Sequence, residues 1–278
     1  MFSAALPVDR IEIHHDFAPR PRISHVILDF DGTLSWLRHG WPEIMEQLFR
    51  EHLPALPGES EAAIHELLLA DILALNGHPS IHQMNRLVER VRERGGHPPD
   101  PEELLLEYQR RLDDVITHRS EKILNGTAAP DEFVVHGARV LLEQLRQRGV
   151  TLFILSGTVE HRVRQEAELL GLSKFFGTRI HGSSPEYPDF SKREVIDRIL
   201  REEKIPGDRL LSIGDGPVEM EYTRAVGGFA LAVASDENQN GSGVPDPWKR
   251  RQLLAAGAHA LIADYREPDA LLKRIFGS

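Results

Sequence analysis

Apolar positions along this chain follow two rhythms. Short, largely apolar runs occur at Val26-Ile27-Leu28, Val150 to Leu155, Arg209 to Ile213, Gly228 to Ala234 and Ala258 to Ala263. Short runs of this β-rich kind fit strands buried on both faces of a parallel sheet. Between the first and second runs the rhythm is helical throughout, over Trp41 to Leu53, Glu59 to Leu75, Ser80 to Arg94 and Pro101 to Lys122. In the third of these, Ile81, Met84, Leu87, Val88 and Val91 share one face, as a helix over a core requires. After Asn125-Gly126 the two rhythms alternate. Helices are expected over Val134 to Arg148, Val159 to Leu170, Lys192 to Glu203 and Pro268 to Phe276, with a short strand near Thr178 to His181 and a polar loop from Gly182 to Asp189. The reading is an α/β fold with a Rossmann-like parallel sheet, interrupted by an inserted helical module. Its core comprises residues 1–35 and 122–278, and the insertion residues 36–121. Ser235 to Trp248, polar and rich in Gly, Asn and Pro, reads as a mobile surface loop. Ile11-Glu12-Ile13, flanked by Pro7, Pro19 and Pro21, is either an added edge strand or a loosely attached arm.

Length and composition narrow the class. The chain has 278 residues, enough for one large domain carrying an insertion. Its 43 acidic and 33 basic residues give a formal charge of -10, which disfavours nucleic acid and acidic membranes as partners. Having no cysteine, it forms no disulfide, thiolate nucleophile or thiolate metal site. Met1 to Arg10 lack a basic stretch followed by an apolar run, and no segment reaches the ~18 apolar residues of a membrane span. A cytoplasmic protein is expected.

The candidate chemistry lies where apolar runs end. Val26-Ile27-Leu28 delivers Asp29 and Asp31 to the carboxyl end of a strand, the end at which open α/β sheets bind ligands. Alternation places both carboxylates on one side, and two like charges so close are costly unless a cation neutralises them or one keeps its proton, which points to a hard oxygen-liganded ion with Mg2+ the natural choice. Gly32 supplies the permissive backbone for the turn. An Asp-Gly turn also ends strands that do no chemistry. Farther along, Ser156-Gly157-Thr158 stands at an expected strand-to-helix turn, a place that either binds an anion or simply caps a helix. Lys192 opens a helix, where a cation opposes the macrodipole and a purely stabilising role is disfavoured. Asp215 follows another strand, between Gly214 and Gly216. No G-x-G-x-x-G follows the first strand, which argues against a dinucleotide site.

In order and spacing, Asp29-Phe30-Asp31-Gly32-Thr33, Ser156, Lys192 and Asp215 with Glu219 resemble the four motifs of the haloacid dehalogenase superfamily from about residue 24 to 265. Lys174 is the fallback for the third motif. The helical insertion is similar to the C1 cap of phosphoglycolate phosphatases and β-phosphoglucomutases. The fourth motif departs slightly, with Glu219 where Asp is common and Pro217 between. The resemblance implies that Asp29 is the nucleophile and Asp31 the acid and base. It also implies that Ser156, Gly157 and Lys192 hold the phosphoryl group, and that Asp29, Asp31 through its carbonyl, Asp215 and Glu219 serve Mg2+. Arg38, near the expected hinge, is either a contact for a second anionic group of the substrate or a solvated connector residue. An acid at position 31 excludes the dehalogenase members. A phosphatase acting on a small phosphorylated metabolite, as monomer or homodimer, is the leading expectation. The alternatives are a phosphomutase and a non-catalytic protein that keeps the fold.

Overall fold

A computed structural model describes residues 10–14, 16–76, 79–184 and 191–277. Part of the expected polar loop from Gly182 to Asp189, and the first nine residues of the N-terminal arm, lie outside the described residues.

Among the described residues seven strands form one sheet, and the apolar runs account for its middle. The strands are β1 (Ile11–Ile13), β2 (His25–Leu28), β3 (Thr151–Val159), β4 (Ile180–Ser183), β5 (Leu210–Gly214), β6 (Phe229–Val233) and β7 (Ala260–Ile262). Their order is β1-β7-β6-β5-β2-β3-β4. All pairings are parallel except that of β1, which runs antiparallel to β7 with Ile11 opposite Ile262. The Ile11-Glu12-Ile13 alternation is therefore an edge strand. β2, β5 and β6 are buried along their whole length, as expected for strands covered by helices on both faces. On one side Ile27, Phe153 and Leu155 pack with Val195, Ile196 and Ile199 of helix Lys192–Glu202. Elsewhere Ala230, Ala232 and Leu261 pack with Met220 of helix Pro217–Ala225 and Leu253 of helix Pro247–Ala255.

The chain divides into two compact units, Arg38–Asn125 and the remainder. Trp36 belongs to the α/β unit, because its amide donates to Phe133 O at 2.8 Å and its indole nitrogen to Asp236 O at 3.1 Å. The helical unit contains α1 (Trp41–His52), α2 (Glu61–Ala74), α3 (Ile81–Glu93) and α4 (Pro101–Leu124). Pro101 follows the N-cap Asp100, whose carboxylate accepts from the amides of Glu102 and Glu103. These helices share a core in which Phe49, Leu68, Met84 and Tyr108 each come from a different helix. The face expected on the third helix is the buried one, with Met84, Leu87, Val88 and Val91 all inside.

The α/β unit contains α5 (Ala138–Gln147), α6 (Glu160–Leu169), α7 (Ser173–Phe176), α8 (Lys192–Glu202), α9 (Pro217–Ala225), α10 (Pro247–Ala255) and α11 (Pro268–Phe276). Three expectations need correction. The helix expected from Val134 begins only at Ala138, because Val135 donates to Leu34 O and Gly137 is left-handed, with φ of 80°. The helix α10 starts inside the segment read as a loop, at its N-cap Asp246. The rest of Ser235 to Trp248 is tied to the α/β unit: Ser235 Oγ donates to Gly32 O at 2.6 Å, and Asn240 Nδ2 to Val134 O at 2.8 Å. Its polar side chains satisfy main-chain groups, so its composition does not signal mobility.

Candidate active site

Strand register sets the positions of the key side chains. Leu28 is level with Ile154 of β3 and with Ile213 of β5. Asp29 therefore stands one residue past that level, and Ser156 and Asp215 two, so that the three side chains lie at nearly one level on three neighbouring strands. The Asp29 amide donates to Ile213 O at 2.9 Å, and its Oδ1 accepts from the Phe30 amide at 2.8 Å. The chain then turns at Gly32, with φ of 71°, and the Gly32 amide donates to Ser35 O at 2.9 Å. Glycine is required twice over, since any Cβ would also overlap the Asp215 carboxylate. Asp31 Oδ2 accepts from the Thr158 hydroxyl at 2.8 Å.

Ser156, Gly157 and Thr158 do not open a helix. β3 continues to Val159, with a register shift against β4 after Leu155, and α6 begins at Glu160. Ser156 is buried, and its Oγ accepts from the Thr158 amide at 3.0 Å. A Cβ on Gly157 would meet nothing within 4 Å. An anion here would be met by a hydroxyl and main-chain amides at a strand irregularity, not by a helix dipole.

Lys192 is the first residue of α8, and its ammonium lies 3.1 Å from Asp29 Oδ2 while also pairing with Glu219. Glu219 belongs to the first turn of α9, where a carboxylate is favoured. These partners explain a lysine at an unfavourable helix end. Lys174, by contrast, sits in α7 with its ammonium 3.7 Å from Glu143 and 4.9 Å from the Phe175 ring. Arg38 is the first residue of the helical unit.

Two neighbours carried no signal in the sequence. Lys249, in α10, is buried with its ammonium 3.0 Å from Asp215 Oδ2, and it donates to Ser235 Oγ at 3.1 Å and to Glu237 Oε1 at 2.5 Å. Burial opposes its charge, but Glu237 and Asp215 outweigh burial and hold the ammonium protonated well past the usual range. Tyr265 is buried beneath the motif turn, its hydroxyl donating to Thr33 O at 3.0 Å. Burial, with Asp215 and Asp29 nearby, pushes that phenol upward. A lysine beside two arginines, and a tyrosine after a strand, look like surface and core residues until their partners are seen.

The donors suit a hard cation in part. Burial pushes the Asp29 carboxyl up to about 6, with Lys192 opposing and Asp215 and Asp31 adding to the rise. A divalent cation would supply the missing positive charge. Glu219 Oε2 is also buried without a partner among the described residues. No three His, Asp or Glu side chains among those residues surround a common point. Four carboxylates thus do not converge: Lys192 draws Glu219 aside, and the Thr158 hydroxyl engages Asp31. Two carboxylates, Asp29 and Asp215, at the ends of adjacent strands remain. An all-oxygen set of this kind suits Mg2+ completed by water.

A family model described as haloacid dehalogenase-like hydrolase matches residues 23–227. No curated protein matches the chain. Among solved structures, a haloacid dehalogenase-like protein of unknown function from Agrobacterium tumefaciens aligns with TM-score 0.62 at 16% identity, covering 90% of this chain and 97% of the other. A protein assigned as a phosphoglycolate phosphatase from Haemophilus somnus aligns with TM-score 0.58 at 13% identity, covering 90% and 97%. One assigned as a β-phosphoglucomutase from Thermotoga maritima gives 0.55 at 17%, again covering 90% and 97%. At these identities the likeness establishes the fold.

Proposed function

Because the chain belongs to the haloacid dehalogenase-like hydrolases, we propose that it is a Mg2+-dependent phosphatase acting on the monoester of a small phosphorylated metabolite. The observation that carries this reading is the buried Asp29 carboxylate, held 3.1 Å from the Lys192 ammonium at the sheet end shared with Asp31, Ser156 and Asp215. Asp29 attacks phosphorus, the bond to the ester oxygen breaks, and an aspartyl-phosphate forms, dividing one difficult displacement into two easier ones. Asp31 gives its proton to the departing oxygen. It then takes a proton from the water that hydrolyses the aspartyl-phosphate, releasing inorganic phosphate and restoring Asp29. The Ser156 hydroxyl, the Gly157 amide and Lys192 hold the phosphoryl oxygens as negative charge spreads over them. Asp29 and Asp215 through their carboxylates and Asp31 through its carbonyl would hold Mg2+, with Glu219 acting through water. When bound, the ion neutralises charge on the phosphoryl group. The helical unit serves as a cap of the C1 kind, and Arg38 meets a second anionic group of the substrate.

The test is phosphate release from a panel of phosphorylated metabolites with and without Mg2+. Wild-type protein should release phosphate only with the cation, and Asp29→Asn should be inactive. Metal-independent turnover persisting in Asp29→Asn would overturn the covalent mechanism. An isomerised sugar phosphate in place of free phosphate would identify a phosphomutase.

A further inference from the structure

Lys249 is used nowhere in the chemistry above, yet it is among the most completely enclosed charges in the chain, only 4% exposed. An ammonium has three N–H donors. Here the three face Ser235 Oγ, Glu237 Oε1 and Asp215 Oδ2, at 3.1, 2.5 and 3.0 Å. The Ser235 hydroxyl in turn donates to the carbonyl of Gly32 at 2.6 Å, in the turn that follows Asp29 and Asp31. One side chain thus joins the end of β5, the segment after β6 and the motif turn. Removing a surface lysine costs little. Removing this one would take a cation away from two partly buried carboxylates.

The consequence falls on Asp215. Lys249 occupies Oδ2, and no described residue engages Oδ1. Gly32 closes the same side, since a Cβ there would overlap the Asp215 carboxylate and come within 3.3 Å of the Lys249 ammonium. Asp215 is therefore held to offer a cation one oxygen. Single-oxygen donation suits the compact octahedral shell of Mg2+, whereas Ca2+ gathers six to eight oxygens in part by taking carboxylates through both.

We propose that Lys249 is a positioning residue that restricts Asp215 to one-oxygen donation and so makes the site select Mg2+ over Ca2+. The inference rests on the proposed role of Asp215 at a cation site. Lys249 and Glu237 carry opposite charges, so removing both changes the geometry around Asp215 while leaving net charge unaltered.

Calorimetric titration of the metal-free protein with Mg2+ and with Ca2+, without substrate, tests the proposal. Wild-type protein should bind Mg2+ more tightly than Ca2+. The Lys249→Met/Glu237→Gln double variant, checked for folding by circular dichroism, should shift the ratio of the two dissociation constants toward Ca2+ by about ten-fold or more, the effect usual for a partner behind a metal ligand. Ser235→Ala, which leaves the ammonium on Asp215, should keep the ratio near wild type. An unchanged ratio in a folded double variant overturns the role of Lys249 while leaving phosphate release by wild-type protein intact. A wild-type protein that binds Ca2+ at least as well as Mg2+ overturns it without any variant. Failure of wild-type protein to bind either ion overturns both this inference and the cation part of the proposed function.

Discussion

The Thr158 hydroxyl donates to Asp31 Oδ2 at 2.8 Å, and that contact sets how the proposed acid presents its proton. Thr158→Val keeps the shape and removes the donor. A hydrogen bond to a charged group contributes ~1.5–3 kcal/mol, so kcat/KM for an alkyl phosphate should fall by roughly ten-fold or more. An aryl phosphate with a good leaving group needs little proton transfer and should lose much less, and Thr158→Ser should restore the alkyl rate. Equal losses on both substrates would mean that the hydroxyl does not work through Asp31. The two candidate lysines separate at the same scale. Lys192→Ala removes the ammonium beside Asp29 and should cost ~10²-fold or more in rate, as loss of one preorganised oxyanion partner does. Lys174→Ala breaks the exposed pairing with Glu143 and the contact with the Phe175 ring, both away from Asp29, and should leave turnover within about two-fold. Rates with the reverse ranking would reassign the third motif.

Among the elements, α10 and the strand pair β6–β7 each lend themselves to a stability measurement. The Asp246 carboxylate caps α10 by accepting from the amides of Trp248 and Lys249 at 2.9 and 2.8 Å. Asp246→Ala should lower unfolding free energy by ~1 kcal/mol in urea denaturation. It should also weaken Mg2+ binding, because the helix start that it frees carries Lys249. His259, next to β7, accepts from the Ala230 amide of β6 through Nδ1 at 3.0 Å and stacks on Phe229 at 4.9 Å. Burial, with Arg224 nearby, holds its pKa below the usual histidine value. The unfolded chain then takes up a proton near about pH 6.5 while the folded protein resists until the pH is lower. Stability from this group is full above that value and is lost as pH falls through the window. His259→Asn keeps an acceptor without the titration, so its melting temperature should fall less between pH 7 and pH 5.5. His181, whose pKa is also lowered chiefly by burial, leaves a residual slope. A variant with the full wild-type slope would acquit His259.

For the molecule as a whole, the division of labour proposed between the two units is a matter of substrate choice. The α/β unit holds Asp29, Asp31, Ser156, Lys192 and Asp215, and the helical unit builds a separate core from α1 to α4. If the helical unit recognises the leaving group, Arg38→Ala should lower kcat/KM for an anionic natural substrate by ~1.5–3 kcal/mol while sparing a small aryl phosphate. Equal effects on both would remove Arg38 as a specificity residue. No helix among the described residues is long and apolar enough to cross a membrane. With a formal charge of -10 the chain as a whole repels an anionic ligand, so attraction must come from local cations such as Lys192.

The strands and helices were legible because periodicity is local: β2, β5 and β6 are short, largely apolar runs buried along their length, and α3 buries the face that its spacing marks. Asp29, Asp31, Lys192 and Asp215 were legible for a related reason, since each stands at or just past the edge of an element whose end the sequence announces. What needed the tertiary structure was pairing across distance. Whether Ile11–Ile13 was strand or arm depended on β7 presenting an open edge near the other end of the chain. The polar run after β6 looked like a solvated loop because sequence shows polarity without showing that Ser235 and Asn240 meet main-chain groups of distant segments. Ser156 was read as part of a strand-to-helix turn, and the continuation of β3 past it to Val159 is set by an irregular pairing with β4 that the sequence does not show. Lys249 is the sharpest case. Nothing near it in sequence separates it from Arg250 and Arg251, and only the packing of α10 against the strand ends brings its charge to Asp215, where burial turns an ordinary surface residue type into a fixed cation.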